Sequence, residues 1–178
     1  YDPPQLVNDR IPQTPLKVVK VDAETGKQVP LPVSFQLEDA SGNLVTYTSH
    51  YPATETIDTW IANERGELTL PMLLEEGDYT IKEVQAPYGY VKELEGKAFH
   101  VNTDYNGWDD PLVIEFSNMP QKATITVAKS DSWTGEAVDE SVYIVKAAET
   151  IQTPDGTVRA HEGEIVATLT TGEDGKAT

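Results

Sequence analysis

Apolar and polar residues alternate along most of this chain in short runs, each ended by a turn signal. Side chains of a strand point to opposite faces, so positions i, i+2 and i+4 share one face. Leu16, Val18 and Lys20 share a face of a strand predicted over Leu16 to Asp22, which Thr25-Gly26 turns. Val33, Phe35 and Leu37 define a second strand, closed by Ser41-Gly42-Asn43, and Leu44 to Thr48 returns. Residues 49–63 read as a longer, irregular excursion. Strands follow at Glu67 to Leu70, Tyr79 to Gln85, Ala98 to Val101 and Leu112 to Asn118. No segment repeats its apolar residues every 3.6 positions, which argues against helical and α/β folds. Seven or so short strands over about 105 residues predict an all-β, Greek-key β-sandwich of prealbumin or immunoglobulin type.

The pattern also repeats as a whole. Asn8, a Pro-bearing linker, an alternating strand and Lys20-x-Asp22-x-x-Thr25-Gly26 recur as Asn118, a linker, a strand and Lys129-x-Asp131-x-x-Thr134-Gly135. Lys20 and Lys129 stand 109 residues apart. A period that long exceeds that of solenoids and matches a small domain. Residues 1–13 are therefore expected to be the tail strand of a preceding domain plus a linker. Residues 14–120 are expected to form a complete domain, and 121–178 the first part of a second, truncated one. Asp174-Gly175 aligns with Arg65-Gly66, so the last unit is expected to lack its later strands.

Charge narrows the choice of partners. Thirteen basic residues against 30 acidic ones give a formal net charge of −17. Too little Lys and Arg is available to neutralise phosphates, so nucleic acid is excluded as a partner, and adsorption to anionic lipid is disfavoured. No apolar run approaches the length of a membrane span. Cysteine is absent, which removes disulfides and thiolate metal sites. Twelve Pro and twelve Gly are spread evenly, as turn punctuation would be.

Three polar residues extend otherwise apolar stripes. Lys20 follows Leu16 and Val18, Glu83 follows Tyr79 and Ile81, and Asn118 follows Leu112, Ile114 and Phe116. The second unit repeats the first case with Ile125, Val127 and Lys129. One such residue is ordinarily a strand end reaching water. Three in one unit, with one recurring at the repeat period, point instead to buried polar groups that need partners.

These residues carry a family resemblance. Lys20-x-Asp22-x-x-Thr25-Gly26, then Gly77-x-Tyr79-x-x-x-Glu83-x-x-Ala86-Pro87-x-Gly89-Tyr90, then Phe116-Ser117-Asn118, resembles the CnaB domains, the prealbumin-like B-type domains of Gram-positive adhesins and pilins. The resemblance covers 14–120 fully and 121–178 as the front of another copy. It implies a spontaneous isopeptide bond between Lys20 and Asn118, assisted by Glu83. By the same mapping Asn8 resembles the acceptor of an upstream domain, and Lys129 the donor of a downstream one. Burial favours the neutral form of an ionisable group, so Lys20 is expected to act as a free-amine nucleophile. Glu83 is expected to support the oxyanion on the Asn118 carbonyl and to relay a proton to departing ammonia. The event happens once per molecule, so the chain is not expected to be an enzyme, and it needs no cofactor. The resemblance further implies an extracellular, cell-wall-anchored surface protein whose partners are neighbouring domains of the same protein.

Other features are weaker. Asp104-Tyr-Asn106-Gly-Trp-Asp109-Asp110 offers oxygen ligands but lacks an EF-hand's closing Glu, so a solvated acidic turn is expected and no metal. His50, His100 and His161 show no ligand or triad spacing. Trp60, Tyr105 and Trp108 are expected to pack or anchor loops. The rival reading is an adhesin module contacting a host extracellular ligand through loops 49–63 or 102–110. A third is a β-module appended to a sugar-active enzyme.

Overall fold

The computed structural model describes residues 13–102 and 110–178. Asn8, Asp104, Tyr105, Asn106, Trp108 and Asp109 lie outside them. The chain divides into two compact units, Tyr1–Pro120 and Gln121–Thr178.

In the first unit the strands are β1 (Gln13–Asp22), β2 (Ser34–Asp39), β3 (Tyr47–Ser49), β4 (Glu55–Ile57), β5 (Trp60–Ile61), β6 (Glu67–Glu75), β7 (Gly77–Gln85), β8 (Lys97–Val101) and β9 (Leu112–Asn118). One sheet has the order β6-β1-β9, the other β5-β2-β7-β8, and β3 pairs with β4 as a separate ribbon. Leu16, Val18, Leu70, Ile114 and Phe116 of the first sheet and Phe35, Leu37, Ile81 and Val101 of the second are all buried in one core. Phe35 meets Phe116 across that core edge-on, with ring centroids 5.1 Å apart. The alternating pattern thus makes a two-layer β-sandwich, as the sequence predicts.

Two local features depart from the sequence pattern. The excursion 49–63 is more ordered than its composition suggests. It contributes β4 and β5, and Trp60 pairs with Phe35 while its ring is buried, so Trp60 and the nearby Ala62 belong to the core whereas most of the loop stays exposed. Pro15 lies inside β1, where it cannot donate to the ladder, and the register with β6 shifts between Pro15 and Lys17. Such an irregularity accommodates a missing donor.

The decisive pairing is parallel: β1 lies beside β9, with Lys20 opposite Phe116 and Asp22 opposite Asn118. The first and last strands of the unit are therefore neighbours. Gly66 closes the other side of β1, its carbonyl accepting from Lys20 N at 2.8 Å. Its φ is +74°, and a Cβ there would stand 2.0 Å from the Val29 carbonyl oxygen. Gly66→Ala is expected to destabilise the unit by at least about 1–3 kcal/mol, the usual cost of a non-Gly residue in this conformation, through strain and that clash. A urea denaturation midpoint unchanged from wild type would contradict this.

The second unit has β10 (Val127–Ala128), β11 (Val142–Lys146), β12 (Ile151–Gln152), β13 (Val158–Ala160), β14 (Ile165–Thr170) and β15 (Lys176–Ala177), paired β10-β15, β11-β14 and β12-β13. Its first turn reproduces that of the first unit bond for bond. Lys129 N donates to Gly175 O at 2.7 Å as Lys20 N does to Gly66 O, and Gly135 N donates to Asp131 O as Gly26 N does to Asp22 O. The sequence repeat is thus a repeat of backbone geometry.

Candidate functional site

Strand register brings the three polar residues together. Lys20 faces Phe116 in the parallel ladder, so Asn118 is its diagonal neighbour on the same face, within reach of a long side chain. Glu83 comes from β7 in the opposite sheet, where it pairs with Phe35. Lys20 is 0% exposed, Asn118 2% and Glu83 3%. None is a strand end meeting water.

Every polar atom in this cluster but one has a defined partner. The Lys20 Nζ donates to the Phe116 carbonyl at 2.9 Å and to Asn118 Oδ1. The Asn118 Nδ2 donates to Glu83 Oε2 at 2.6 Å and to the Val91 carbonyl at 2.7 Å. Glu83 Oε2 also accepts from the backbone N–H of Glu93 at 2.9 Å. Glu83 Oε1, 4.0 Å from the Lys20 Nζ, is buried without a hydrogen-bond partner. The carboxylate thus meets the amide through its nitrogen, whereas the sequence reading has it on the carbonyl oxygen.

Burial pushes the Lys20 amine down to about 8; the charges of Glu83, Asp22 and Glu93 oppose that shift without cancelling it. A neutral amine is therefore accessible near neutral pH, with its lone pair beside an amide carbon. Chemically, the arrangement is an amine that can act as a nucleophile, a carboxamide that can act as an electrophile, and a carboxylate hydrogen-bonded to the amide and 4.0 Å from the amine.

Sequence reasoning missed the supporting groups. Asp22, two positions beyond Lys20, is 0% exposed, and its Oδ2 accepts from the Tyr90 hydroxyl at 3.0 Å. Period two from Lys20 signalled Asp22, and the Gly89-Tyr90 pair signalled Tyr90, but only the fold joins them. The Val91 carbonyl and the Glu93 N–H leave no trace in sequence, being backbone groups.

The remaining candidates do not converge. Lys129 is solvent-exposed and lies just beyond the two-residue β10, although the turn after it copies that after Lys20. Asn8 and the loop 103–109 fall outside the described residues. Among the described residues no three His, Asp or Glu side chains cluster as metal ligands. His100 faces Asp78 at 2.8 Å on the surface, remote in sequence from His50 and His161.

Comparison with known proteins agrees with this architecture. The TIE protein of Bacillus anthracis has a similar fold, with a TM-score of 0.53 and 21% identity over 93% of this chain and 26% of that one. The minor pilin of the Gram-positive pathogen Streptococcus agalactiae has a TM-score of 0.52 and 17% identity, over 66% of this chain and 48% of its own. The chain thus spans from about a quarter to about half of the length of these proteins. No curated protein sequence matches it. Residues 14–110 match the SpaA family, described as a prealbumin-like fold domain. Since that match takes in more than half of its 178 residues, the chain belongs to the SpaA family of prealbumin-like, CnaB-type domains.

Proposed function

We propose that residues 14–120 form a self-cross-linked structural domain of a Gram-positive surface protein, adhesin stalk or pilin-like, in which Lys20 and Asn118 are joined by an isopeptide bond. The observation that carries this reading is the fully buried contact of the Lys20 amine with the Asn118 carboxamide, with Glu83 against both.

The chemistry balances without a cofactor. The Lys20 ammonium passes one proton to Glu83, whose Oε1 has no other partner. The neutral Nζ attacks Asn118 Cγ, and a C–N bond forms as the carbonyl π electrons move to Oδ1. Glu83 turns its carboxyl group to deliver that proton to Nδ2, which Oε2 contacts, and the carboxylate so restored takes the second proton from Nζ, leaving Glu83 as the neutral acid. The Oδ1 electron pair re-forms the carbonyl, the Cγ–Nδ2 bond breaks, and Nδ2 leaves as ammonia with the proton it received. The fold holds the reactants in place, and such proximity is worth roughly 7–11 kcal/mol of barrier. The event occurs once per molecule, so the chain is not an enzyme.

The position of the bond fits a load-bearing role. The chain enters the unit through β1 and leaves through β9, and these are parallel neighbours. Tension on the ends would shear them apart, whereas an amide between Lys20 and Asn118 carries it past the intervening residues. In this reading the domain works outside the cell, in series with neighbouring domains of a wall-anchored protein. The second unit supplies another donor lysine, Lys129, and Asn8 the acceptor of a preceding unit.

Intact mass of the purified chain tests the reading. The expected value is low by one ammonia, with a Lys20–Asn118 linked peptide after digestion, and Lys129 unlinked in this chain. Full mass for a well-folded chain refutes it.

A further inference from the structure

The segment 86–95 crosses the buried cluster without forming a strand. Pro87 and Tyr90 are its buried side chains, and residues 91–95 are all exposed. Little apolar packing therefore holds it down. What it directs inward is backbone: the Val91 carbonyl accepts from Asn118 Nδ2, and the Glu93 N–H donates to Glu83 Oε2. These two groups set the plane of the Asn118 amide and leave Glu83 Oε1 as the oxygen turned to the Lys20 amine. Two further bonds fasten the segment. Val91 N donates to the Met119 carbonyl at 2.8 Å, and the Tyr90 hydroxyl donates to Asp22 Oδ2 at 3.0 Å. The other Asp22 oxygen accepts from Glu24 N and Thr25 N and so is locked by the turn that follows β1.

We propose that the Asp22–Tyr90 hydrogen bond is a latch that holds segment 86–95 over the Lys20, Glu83 and Asn118 side chains, making Asp22 and Tyr90 positioning residues for cross-linking. The inference rests on the Lys20–Asn118 bond proposed above. It accounts physically for the company the two sequence signatures keep. Lys-x-Asp-x-x-Thr-Gly supplies the nucleophile and the catch, and Glu-x-x-Ala-Pro-x-Gly-Tyr supplies the proton relay and the latch. When the latch opens, the amide loses its Val91 acceptor and Glu83 loses a donor. A misplacement of about 1 Å between reacting groups lowers a rate roughly 10²-fold.

Asp22 also acts on Lys20 through its charge, alongside Glu83 from β7 and Glu93 from the segment itself. Tyr90→Phe keeps the ring but removes the donor that shields Asp22, so the Lys20 ammonium is held more strongly and linkage needs a higher pH. Asp22→Asn keeps the shape and the turn bonds but removes the charge, so the profile moves to lower pH.

The test follows linkage in the full chain, recovered unfolded at full mass from inclusion bodies and diluted out of guanidinium chloride. Ammonia loss is timed by intact mass between pH 6 and 10, about two units either side of the value of about 8 to which burial lowers the Lys20 amine. Tyr90→Phe is expected to link about 10- to 100-fold more slowly than wild type, with its profile shifted upward and that of Asp22→Asn shifted downward. Tyr88→Phe, altered at a side chain 91% exposed, is expected to link at the wild-type rate. Circular dichroism confirms that each variant has folded. Equal rates for Tyr90→Phe and wild type overturn the latch alone. Slowing without the opposed pH shifts reduces Tyr90 to a packing role and also overturns it. A wild-type chain that folds and never loses ammonia overturns the bond itself, and the latch with it.

Discussion

Asn118→Ala is expected to fold, to keep its full mass, and to lose about 4.7 kcal/mol of stability relative to the linked chain. That figure is the chain-entropy value for a cross-link closing a loop of about 100 residues. Here Lys20 and Asn118 are 98 positions apart, so the linked unfolded chain is confined almost over the whole unit. Urea unfolding of the two forms measures the difference, and equal midpoints would sink the cross-link. The difference also depends on pH, with a definite sign. In the unlinked variant, Lys20 titrates near 10.5 unfolded and at about 8 folded, chiefly because burial penalises the ammonium. Between those values the unfolded chain binds the extra proton, so the stability of the variant rises with pH, by up to about 1.36 kcal/mol per unit. Below about pH 8 the full penalty of a buried charge remains. The linked chain has no amine to titrate at this site, so the gap between the two forms should narrow from pH 8 to 10.5.

Glu83→Ala acts on the rate of bond formation. Without the carboxylate, nothing within the buried cluster takes the proton from the amine or returns one to the leaving nitrogen. Linkage is expected to slow by about 10²- to 10⁴-fold, the usual range for a positioned acid–base group, leaving a folded chain at full mass on the timescale of purification. Glu83→Gln keeps the shape and an acceptor but cannot shuttle a proton, and is expected to be equally slow. Wild-type rates of ammonia loss in both variants would remove Glu83 from the chemistry.

Much of this site was legible before any coordinates. Strand periodicity put Lys20, Glu83 and Asn118 on apolar faces, and the repeat singled out Lys20 by copying it as Lys129. Trp60 packs, as its residue type led one to expect, but nothing in that pattern placed it on a strand beside Phe35, because a two-residue strand has no period to read. Nor did it reveal which amide atom would meet the carboxylate.

The sequence alone determined the fold class, the domain-length period, and which three polar residues sit on apolar strand faces. Local chemistry and a period of two suffice for that, since each is a property of neighbouring positions. Only the tertiary structure decided that β1 and β9 run parallel and adjacent, which sets Lys20 diagonally beside Asn118. Only it brought Glu83 across from the other sheet and laid the Val91 carbonyl and Glu93 N–H over the cluster. The contrast within the chain makes the physical reason plain. Lys129 shares with Lys20 the turn that follows it and the backbone bonds to a glycine carbonyl and a valine N–H, yet it is exposed where Lys20 is sealed. The low pKa of the Lys20 amine comes from desolvation, and desolvation comes from residues distant in sequence that pack over it.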